Sequence, residues 1–450
     1  MSIELTKNIY EDRMEAVAQR DSSFLKATLE SLHPEDISAI LDDLDTERSI
    51  YIVNLLDLDI AAEIISNLEE DTRRNFLENF SPQEIAQWIN LMDSDDAADL
   101  LNEMSLETRE KSIVHLNPDK ANDIFDLLHY AEDSAGGLMA KELIRANKNW
   151  NVKQAIEEIR RQAEKVEKIY SLYVVDDQDR LLGRVSLKKI ILARDNTLIA
   201  DLYAPDVISV QTYQDETEVA EIMQRYDLEA VPVVNAKDEL VGRITIDDIV
   251  DVITEKADLD RQIMAGITED IEEDDSILTI TRARLPWLIV GMAGGLLGAR
   301  FMGFFEAELT MLPAMAFFIP LITATGGNVG IQSSSIVLQS LANRSYFSGK
   351  NQWSRLLKML VVAIINGIVI GTIVLGFSFV LDISYKLAFT VSIALFFVVL
   401  IASIMGTITP IILNRIRVNP AIASGPFITT ANDLVGLAVY FTTAHFFYYN

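Results

Sequence analysis

Residues 419–441 read NPAIASGPFITTANDLVGLAVYF, an apolar stretch with a single acid in it, Asp433, the eighth residue counted from Pro426. An ionised carboxylate at membrane depth must face water, a cation or a partner; the bland alternatives are a structural hydrogen bond or a protonated acid. Two copies of Asp433 facing each other across a two-fold axis would repel unless a cation sat between them. A hydrated divalent ion suits such a place, because Mg2+ sheds water reluctantly and is often held through one or two carboxylates with several waters kept. Thr429, Thr430 and Asn432 are spaced to hydrogen-bond those waters. A second apolar stretch, PLITATGGNVGIQSSSIVLQSLA, carries Gly326, Gly327, Asn328, Gly330, Gln332 and Ser333 to Ser335. Two readings stand for it: close helix packing through small residues, or a helix break whose backbone carbonyls line water.

The elements that must hold these residues come from two kinds of chain. The 450 residues carry a net charge of −29, are half hydrophobic and 23% charged, and contain no cysteine. Residues 285–450 hold eight basic and four acidic side chains, a sum of +4, so residues 1–284 carry −33. An acidic, soluble-type half is joined to an apolar, charge-poor half. A single soluble globule is excluded. So is a nucleic-acid binder, since that charge repels phosphate. The absence of Cys excludes disulfide scaffolds, thiolate metal sites and Cys nucleophiles. The start, MSIELTKNIYEDRMEAVAQR, has acids and lacks the apolar core of a secretory signal, so the acidic half is expected to stay on the side where it is made.

Five stretches are long enough to span a bilayer, near 286–305, 313–341, 359–381, 387–413 and 426–447. Arg282, Arg284, Arg344, Lys350, Arg355, Lys358, Arg415 and Arg417 then fall on the side of the N-terminal half, and only Lys386 lies in an opposite loop. The positive-inside rule makes the N-terminal half cytoplasmic and the C-terminus external. Five helices are few for a private pore. A homodimer would supply ten, with the conduit on or near its axis.

In the acidic half, ISAILDDL, AAEIISNL and IAQWINLM start at Ile37, Ala61 and Ile85, 24 residues apart. AADLLNEM and ANDIFDLL start at Ala97 and Ala121, half a period out of phase. Units this small cannot bury a face alone, so a helical superhelix is expected. The run MDSDDAADLL carries Asp93, Asp95, Asp96 and Asp99, which suit either a helix start or a cation site. Residues 137–255 change to strand–turn–strand–helix in two copies. VVDDQDRLLGRVSLKKI aligns with VVNAKDELVGRITIDDI, and Gly183 matches Gly242 at a spacing of 59. DDQD and NAKDE read as hairpin turns; the first lacks the central Gly and late Glu of a calcium loop. Residues 253–284 join this module to the first span as an acidic helix.

Together these segments resemble the MgtE family of magnesium channels and transporters over essentially the whole chain. GRVSLKKI and GRITIDDI look like a CBS-domain pair, SDDAADLL resembles the family's N domain, and the two apolar stretches quoted first look like its second and fifth membrane helices. The expected fold class is a multidomain membrane protein: an all-α helical-repeat N domain at 1–130, an α/β CBS pair at 131–255 (copies near 137–200 and 201–255), a connecting plug helix at 256–284 and a five-helix transmembrane domain at 285–450. The resemblance implies a homodimer in the cytoplasmic membrane, selective for Mg2+, with a pore between subunits and Asp433 as its carboxylate; Gly326, Gly327 and Asn328 belong to the same pathway. It implies Mg2+ sites at Asp95 and Asp99 in the N domain, at Asp227, Asp248 and Asp251 in the second CBS copy and its exit, and at Glu255, Asp258 and Asp260 on the connecting helix. Two departures stand out. Many members have Asp before PAxASGP, where this chain has Asn419. A nucleotide-binding CBS copy usually shows G-x-h-[TS]-x-x-D, which Gly242, Thr245 and Asp248 satisfy, whereas the first copy has Gly183 and Ser186 but Lys189. ATP is therefore an optional ligand at Thr245, Asp248 and Ser186, and the same residues equally suit a helix cap.

The resulting expectation is Mg2+ uptake gated by cytosolic Mg2+ that bridges acidic N and CBS faces. An ion-coupled exchanger, for instance Na+-driven, and a non-transporting membrane nucleotide sensor are the competing readings. An enzyme is not expected: His33, His115, His129 and His445 are scattered, with no nucleophile–base pairing.

Overall fold

A computed structural model describes residues 26, 29, 31–42, 44–163, 169, 171–269, 271, 275–342, 352–378, 380, 383–423 and 425–449. Arg344 and Lys350, used above for orientation, and the first 25 residues lie outside them. The chain forms two compact units, Met1–Ile253 and Thr254–Asn450.

The first unit opens with α1 (Pro34–Asp42), α2 (Thr46–Val53), α3 (Leu58–Ser66), α4 (Glu70–Leu77), α5 (Pro82–Ile89), α6 (Ser94–Glu103), α7 (Leu106–Ile113) and α8 (Pro118–Leu127). Their first residues are 12 apart throughout. The two 24-residue registers in the sequence are thus alternate helices of one two-helix repeat. Each helix is short because its cap recurs: Asp45 accepts from the Arg48 N–H, and Ser81 exchanges hydrogen bonds with Glu84 in a capping box followed by Pro82. The repeat positions Ile37 and Ile85 are fully buried and Ala61 nearly so, alongside Ile64, Ile89 and Leu100. Each such Ile or Leu contributes about 1.5–3 kcal/mol by leaving water.

Two three-stranded sheets follow. In the first, β1 (Arg145–Asn147) runs parallel to β2 (Leu172–Val175), which pairs antiparallel with β3 (Leu181–Val185). In the second, β4 (Val210–Gln211), β5 (Ala230–Val234) and β6 (Leu240–Thr245) repeat that order. Helices α9 (Val152–Gln162), α10 (Leu187–Leu192) and α11 (Glu216–Tyr226) complete the copies. The turns are hairpins as expected. Asp179 and Asp238, 59 residues apart, sit at φ 57° and 62°. Asp176 accepts the N–H groups of Gln178 and Arg180, and Asn235 those of Lys237 and Glu239. Gly183 and Gly242 recur for a reason of space. A Cβ there would lie 2.2 Å from the Ala204 oxygen and 2.9 Å from the Ala140 oxygen, where a neighbouring chain bridges to the strand.

The connecting segment differs from the sequence expectation. Helix α12 (Ile246–Ala265) begins inside the second CBS copy, straight from β6, and stops at Gly266, whose φ of +87° ends it. Residues 277–284 instead belong to the helix of the first span, α13 (Ile277–Met302). A plug helix over 256–284 is corrected accordingly: of the linker's acids Asp258 and Asp260 lie on α12, and the turn after it is tied to α13 by bonds from Thr268 N–H and Oγ1 to the Ala283 oxygen, 3.0 and 2.9 Å.

In the second unit the described residues contain five helices long and apolar enough to cross a membrane. After α13 these are α14 (Ile319–Ala342), α15 (Gln352–Ser378), α16 (Tyr385–Arg415) and α17 (Gly425–Ala444). Helix α16 is the most buried of the five, whereas α13 buries almost none of its side chains. Helix α14 is continuous through Gly326-Gly327-Asn328-Val329-Gly330. The expected break is absent, and the glycines serve close packing instead. A Cβ at Gly406 would lie 2.3 Å from the Gly330 oxygen, so α14 and α16 touch backbone to backbone. Ser333 Oγ donates to Ser403 Oγ at 3.0 Å across that contact.

Candidate functional site

Two groups of residues have the chemistry for cations, one in each unit. In the membrane unit, Asp433 is partly buried on α17 and accepts no hydrogen bond from a described residue. Gly327 of α14 lies against it: a Cβ there would be 3.1 Å from the Thr429 methyl and 3.9 Å from Asp433 Oδ1. Thr429 and Asp433, four residues apart, share one helix face, and Thr429 Oγ1 donates to the Gly425 oxygen at 2.7 Å. Along α14, Ala324, Asn328, Gln332 and Ile336 form an exposed stripe, so two polar side chains stand on the open face of a helix with hydrocarbon-matched length. Lipid cannot satisfy them.

The other residues expected here are placed differently. Asn432 is 2% exposed, packs against Gly330, and neither side-chain polar atom has a hydrogen-bond partner among the described residues. It occupies the seam between α14 and α17, away from the open face. Thr430 turns to α13, where a Cβ at Gly294 would fall 1.9 Å from its methyl. Near the start of α17, Asn419 Nδ2 donates to Asp260 Oδ1 of α12 at 3.0 Å. The Asn419 amide thus meets α12 by a direct bond. Asp258 pairs with Arg261 at 3.0 Å. Glu255 lies on the same helix.

In the first unit, the start of α6 packs beside the start of α12. Glu142 accepts from Ser94 Oγ at 2.6 Å and from the Ser94 N–H at 3.1 Å, and Lys120 pairs with Glu142 at 2.9 Å in a nearly buried contact. This arrangement holds Asp95, Asp96 and Asp99 toward Asp248. Burial first, then the charges of Asp96, Asp248, Asp93 and Glu142, push the Asp95 carboxyl well above its ordinary range. Burial and the charges of Asp93, Asp248 and Asp99 push Asp96 up to about 7, with Arg73 pulling the other way. Asp99 is raised to about 6 by burial against the pull of Arg73, with Glu132, Glu103 and Asp248 adding to the rise. Burial raises Asp248 despite bonds from Thr245 N–H and Oγ1 of 2.9 and 2.8 Å, and it raises Asp251, with Asp247 contributing to both. Glu142 goes the other way: burial opposes ionisation, but Lys120 and Ser94 hold it below the usual range. Asp96 and Asp99 keep surface in water, so this is a wet, crowded crevice.

Of the acids named from the sequence, the crevice joins Asp95, Asp99 and Asp248, with Asp251 one turn along α12. Asp227 instead ends α11 in a left-handed conformation, φ 52°, with its N–H on the Met223 oxygen. Thr245 and Asp248 make the helix cap that was one of their two readings, and Ser186 caps α10 through the Lys189 N–H at 3.3 Å. Asp96 was legible in the same run as Asp95. Glu142, Lys120 and Arg73 were not, because nothing local to them signals a charge partner tens of residues away. No three described carboxylates or histidines stand close enough to wrap one ion. The donor set fits a hydrated Mg2+, held through its waters by carboxylates on two elements.

The raised carboxyls give a sign for pH. A group raised in the compact arrangement holds its proton there and releases it when apart, so the arrangement is favoured in acid and weakens as pH rises through about 6–7. Cations need the ionised form. Protection of the full chain from protease should therefore depend strongly on Mg2+ at about pH 8 and hardly at all near pH 5. Equal dependence at both would remove these carboxylates from the response.

Comparison with known proteins adds the family. The description "Divalent cation transporter" (MgtE) matches residues 319–443, the MgtE intracellular N domain matches 32–133, and the CBS domain matches 135–196 and 199–255. A magnesium transporter MgtE of Enterococcus faecalis is 37% identical over 93% of this chain and 92% of its own. That of Thermus thermophilus is 32% identical over 96% of each. A crystal structure of the cytosolic domain of the Mg2+ channel MgtE in complex with ATP covers 54% of this chain and 99% of its own, at 33% identity and a TM-score of 0.52. With its helical repeat, its paired sheets and its five apolar helices each in the matching place, the chain belongs to the MgtE family.

Proposed function

We propose that this protein carries Mg2+ across the cytoplasmic membrane through a passage between two copies of the chain, lined by the Asn328 face of α14 and the Thr429–Asp433 face of α17. The observation that supports it is the exposed in-span stripe of Asn328 and Gln332 beside a partly buried carboxylate that has no hydrogen-bond partner among the described residues. A second copy across a two-fold axis turns this face from lipid to water, and the paired Asp433 carboxylates then attract the cation that relieves their repulsion. Entry toward the side of the acidic half, taken as cytoplasmic, is driven by the membrane potential, worth about 4.6 kcal/mol for a divalent ion per 100 mV.

Gating is the role of the acidic crevice. Mg2+ stabilises the arrangement in which Asp95, Asp96 and Asp99 face Asp248 and Asp251, by the difference in its affinity for the two states. Helix α12 begins in that crevice and ends beyond Asp260. ATP, present in the related cytosolic domain, would bind at Thr245, Asp248 and Ser186, and Asp248 keeps only Oδ1 outside its cap for that purpose.

Because the chain has no cysteine, a single Asn328→Cys reports the passage directly. A charged methanethiosulfonate should modify it in proteoliposomes and block Mg2+ influx, whereas Ile365→Cys, on the exposed face of α15, should be indifferent. An unreactive Cys at 328 would contradict a wet passage there.

A further inference from the structure

The membrane unit contains a cavity of about 860 Å3 where the end of α12 and the turn after it meet the first turns of α13. Its walls include Gln262, Gly266, Arg284, Trp287, Gly291 and Met292, and none of Asn328, Thr429 and Asp433 lines it. It is built rather than accidental. Gln262 exchanges two hydrogen bonds with the backbone of Ile271, at 3.0 and 3.1 Å, and Gly266 fits against Pro426 and Trp287, where a Cβ would fall 2.6 Å from the proline ring. Its lining is mostly apolar, with one charge. Arg284 is exposed and makes no ion pair with a described residue, while Arg282 two positions earlier pairs with Glu269 at 3.6 Å.

The occupant follows from where these groups lie along a spanning helix. Arg284 stands before the apolar run, Trp287 one turn later at the depth where aromatic residues favour the interface, and Leu288 and Met292, both exposed, continue into hydrocarbon. From Arg284 to Met292 the helix rises roughly 12 Å, which is a headgroup and the upper part of an acyl chain. The α13 side chains that line it, Leu288 and Met292, are 63% and 60% exposed among the described residues. Water fits the apolar lower part poorly, and a soluble anion would leave it empty. We propose that the cavity takes an anionic phospholipid, its phosphate on Arg284 and its chains along Leu288 and Met292, so that lipid composition acts on the junction between α12 and the first span. The proposal rests only on α13 crossing a bilayer, not on the passage or the ion.

Trp287 is a built-in probe. The full chain carrying Trp353→Phe is placed in phosphatidylcholine vesicles containing phosphatidylglycerol, with bromine on the chains of one lipid or the other, and the signal of Trp287→Phe in the same background is subtracted. Brominated phosphatidylglycerol should quench with about a fivefold preference over brominated phosphatidylcholine, as expected for one basic side chain near the surface. Arg284→Gln should erase the preference. Gly291→Phe should lower quenching by both lipids, and it is sterically admissible, since a Cβ at Gly291 meets nothing within 4 Å. Equal quenching by the two lipids, a preference that survives Arg284→Gln, displacement of the brominated lipid by inorganic phosphate, or quenching that appears only after the dimer is dissociated would each overturn the lipid assignment. The last two would identify a soluble anion and a second copy of the chain as the occupant.

Discussion

Asp433→Ala should reduce Mg2+ uptake by about a hundredfold or more while the purified protein keeps its oligomeric state and melting temperature. The size follows from charge. In the proposed dimer the substitution takes away both copies of the only acid within the last span, and a single charge pair at about 4 Å is worth about 4 kcal/mol in a partly screened site, against roughly 1.4 kcal/mol per tenfold. The fold should tolerate the change, because Asp433 receives no hydrogen bond from a described residue and its close neighbour is Gly327. Asp433→Asn should fall nearly as far, since the amide keeps the shape and loses the charge. Uptake measured in a magnesium-starved strain and in proteoliposomes checks both. Near-normal uptake by Asp433→Asn would leave polarity, not charge, as what the passage needs.

Asp95→Lys should hold the crevice of the first unit compact without Mg2+ and make uptake low even when internal Mg2+ is scarce. Asp95 lies among Asp96, Asp248, Asp93 and Glu142, whose charges raise its carboxyl. A cation covalently placed there meets the same field with the opposite sign. Its partial exposure leaves room for the longer side chain. A coupling of about 1–3 kcal/mol corresponds to a shift of about 5–150-fold between the two states. Protease protection of the full chain should then be high and independent of added Mg2+. If Asp95→Lys instead opened the chain to protease, the crevice would not be closed by positive charge.

How far these groups could be read from the sequence depended on whether their cause was local. The 12-residue helix spacing, the hairpins at Asp179 and Asp238, and the five spans follow from period, caps and apolar length, and all were legible. The role of Gly326–Gly330 was half legible: glycine signals either weakness or closeness, and only the approach of Gly406 to the Gly330 backbone decides for closeness. Asn432 beside Asp433 looked like an equal partner, but on a helix adjacent residues point about 100° apart, and that turn puts the amide in the seam with Gly330. The boundary of α12 was misplaced because its first turn is specified by the Asp248 carboxylate, which accepts from Thr245 N–H and Oγ1 inside a segment that the repeat assigns to the CBS copy. Glu142 and Lys120 were invisible, since their significance lies in Ser94 and Met92, brought near by the superhelix.

The passage between two copies is most directly tested by joining them. Thr429→Cys, one turn from Asp433 on the same face and the only thiol in the chain, is treated with a thiol cross-linker of short reach in membranes, with and without Mg2+. The account predicts covalent dimers through position 429, formed more slowly when Mg2+ fills the passage, and none through Ile365→Cys on α15. Dimers that form only through α15, or position 429 reacting solely with lipid-soluble reagents as a monomer, would contradict it.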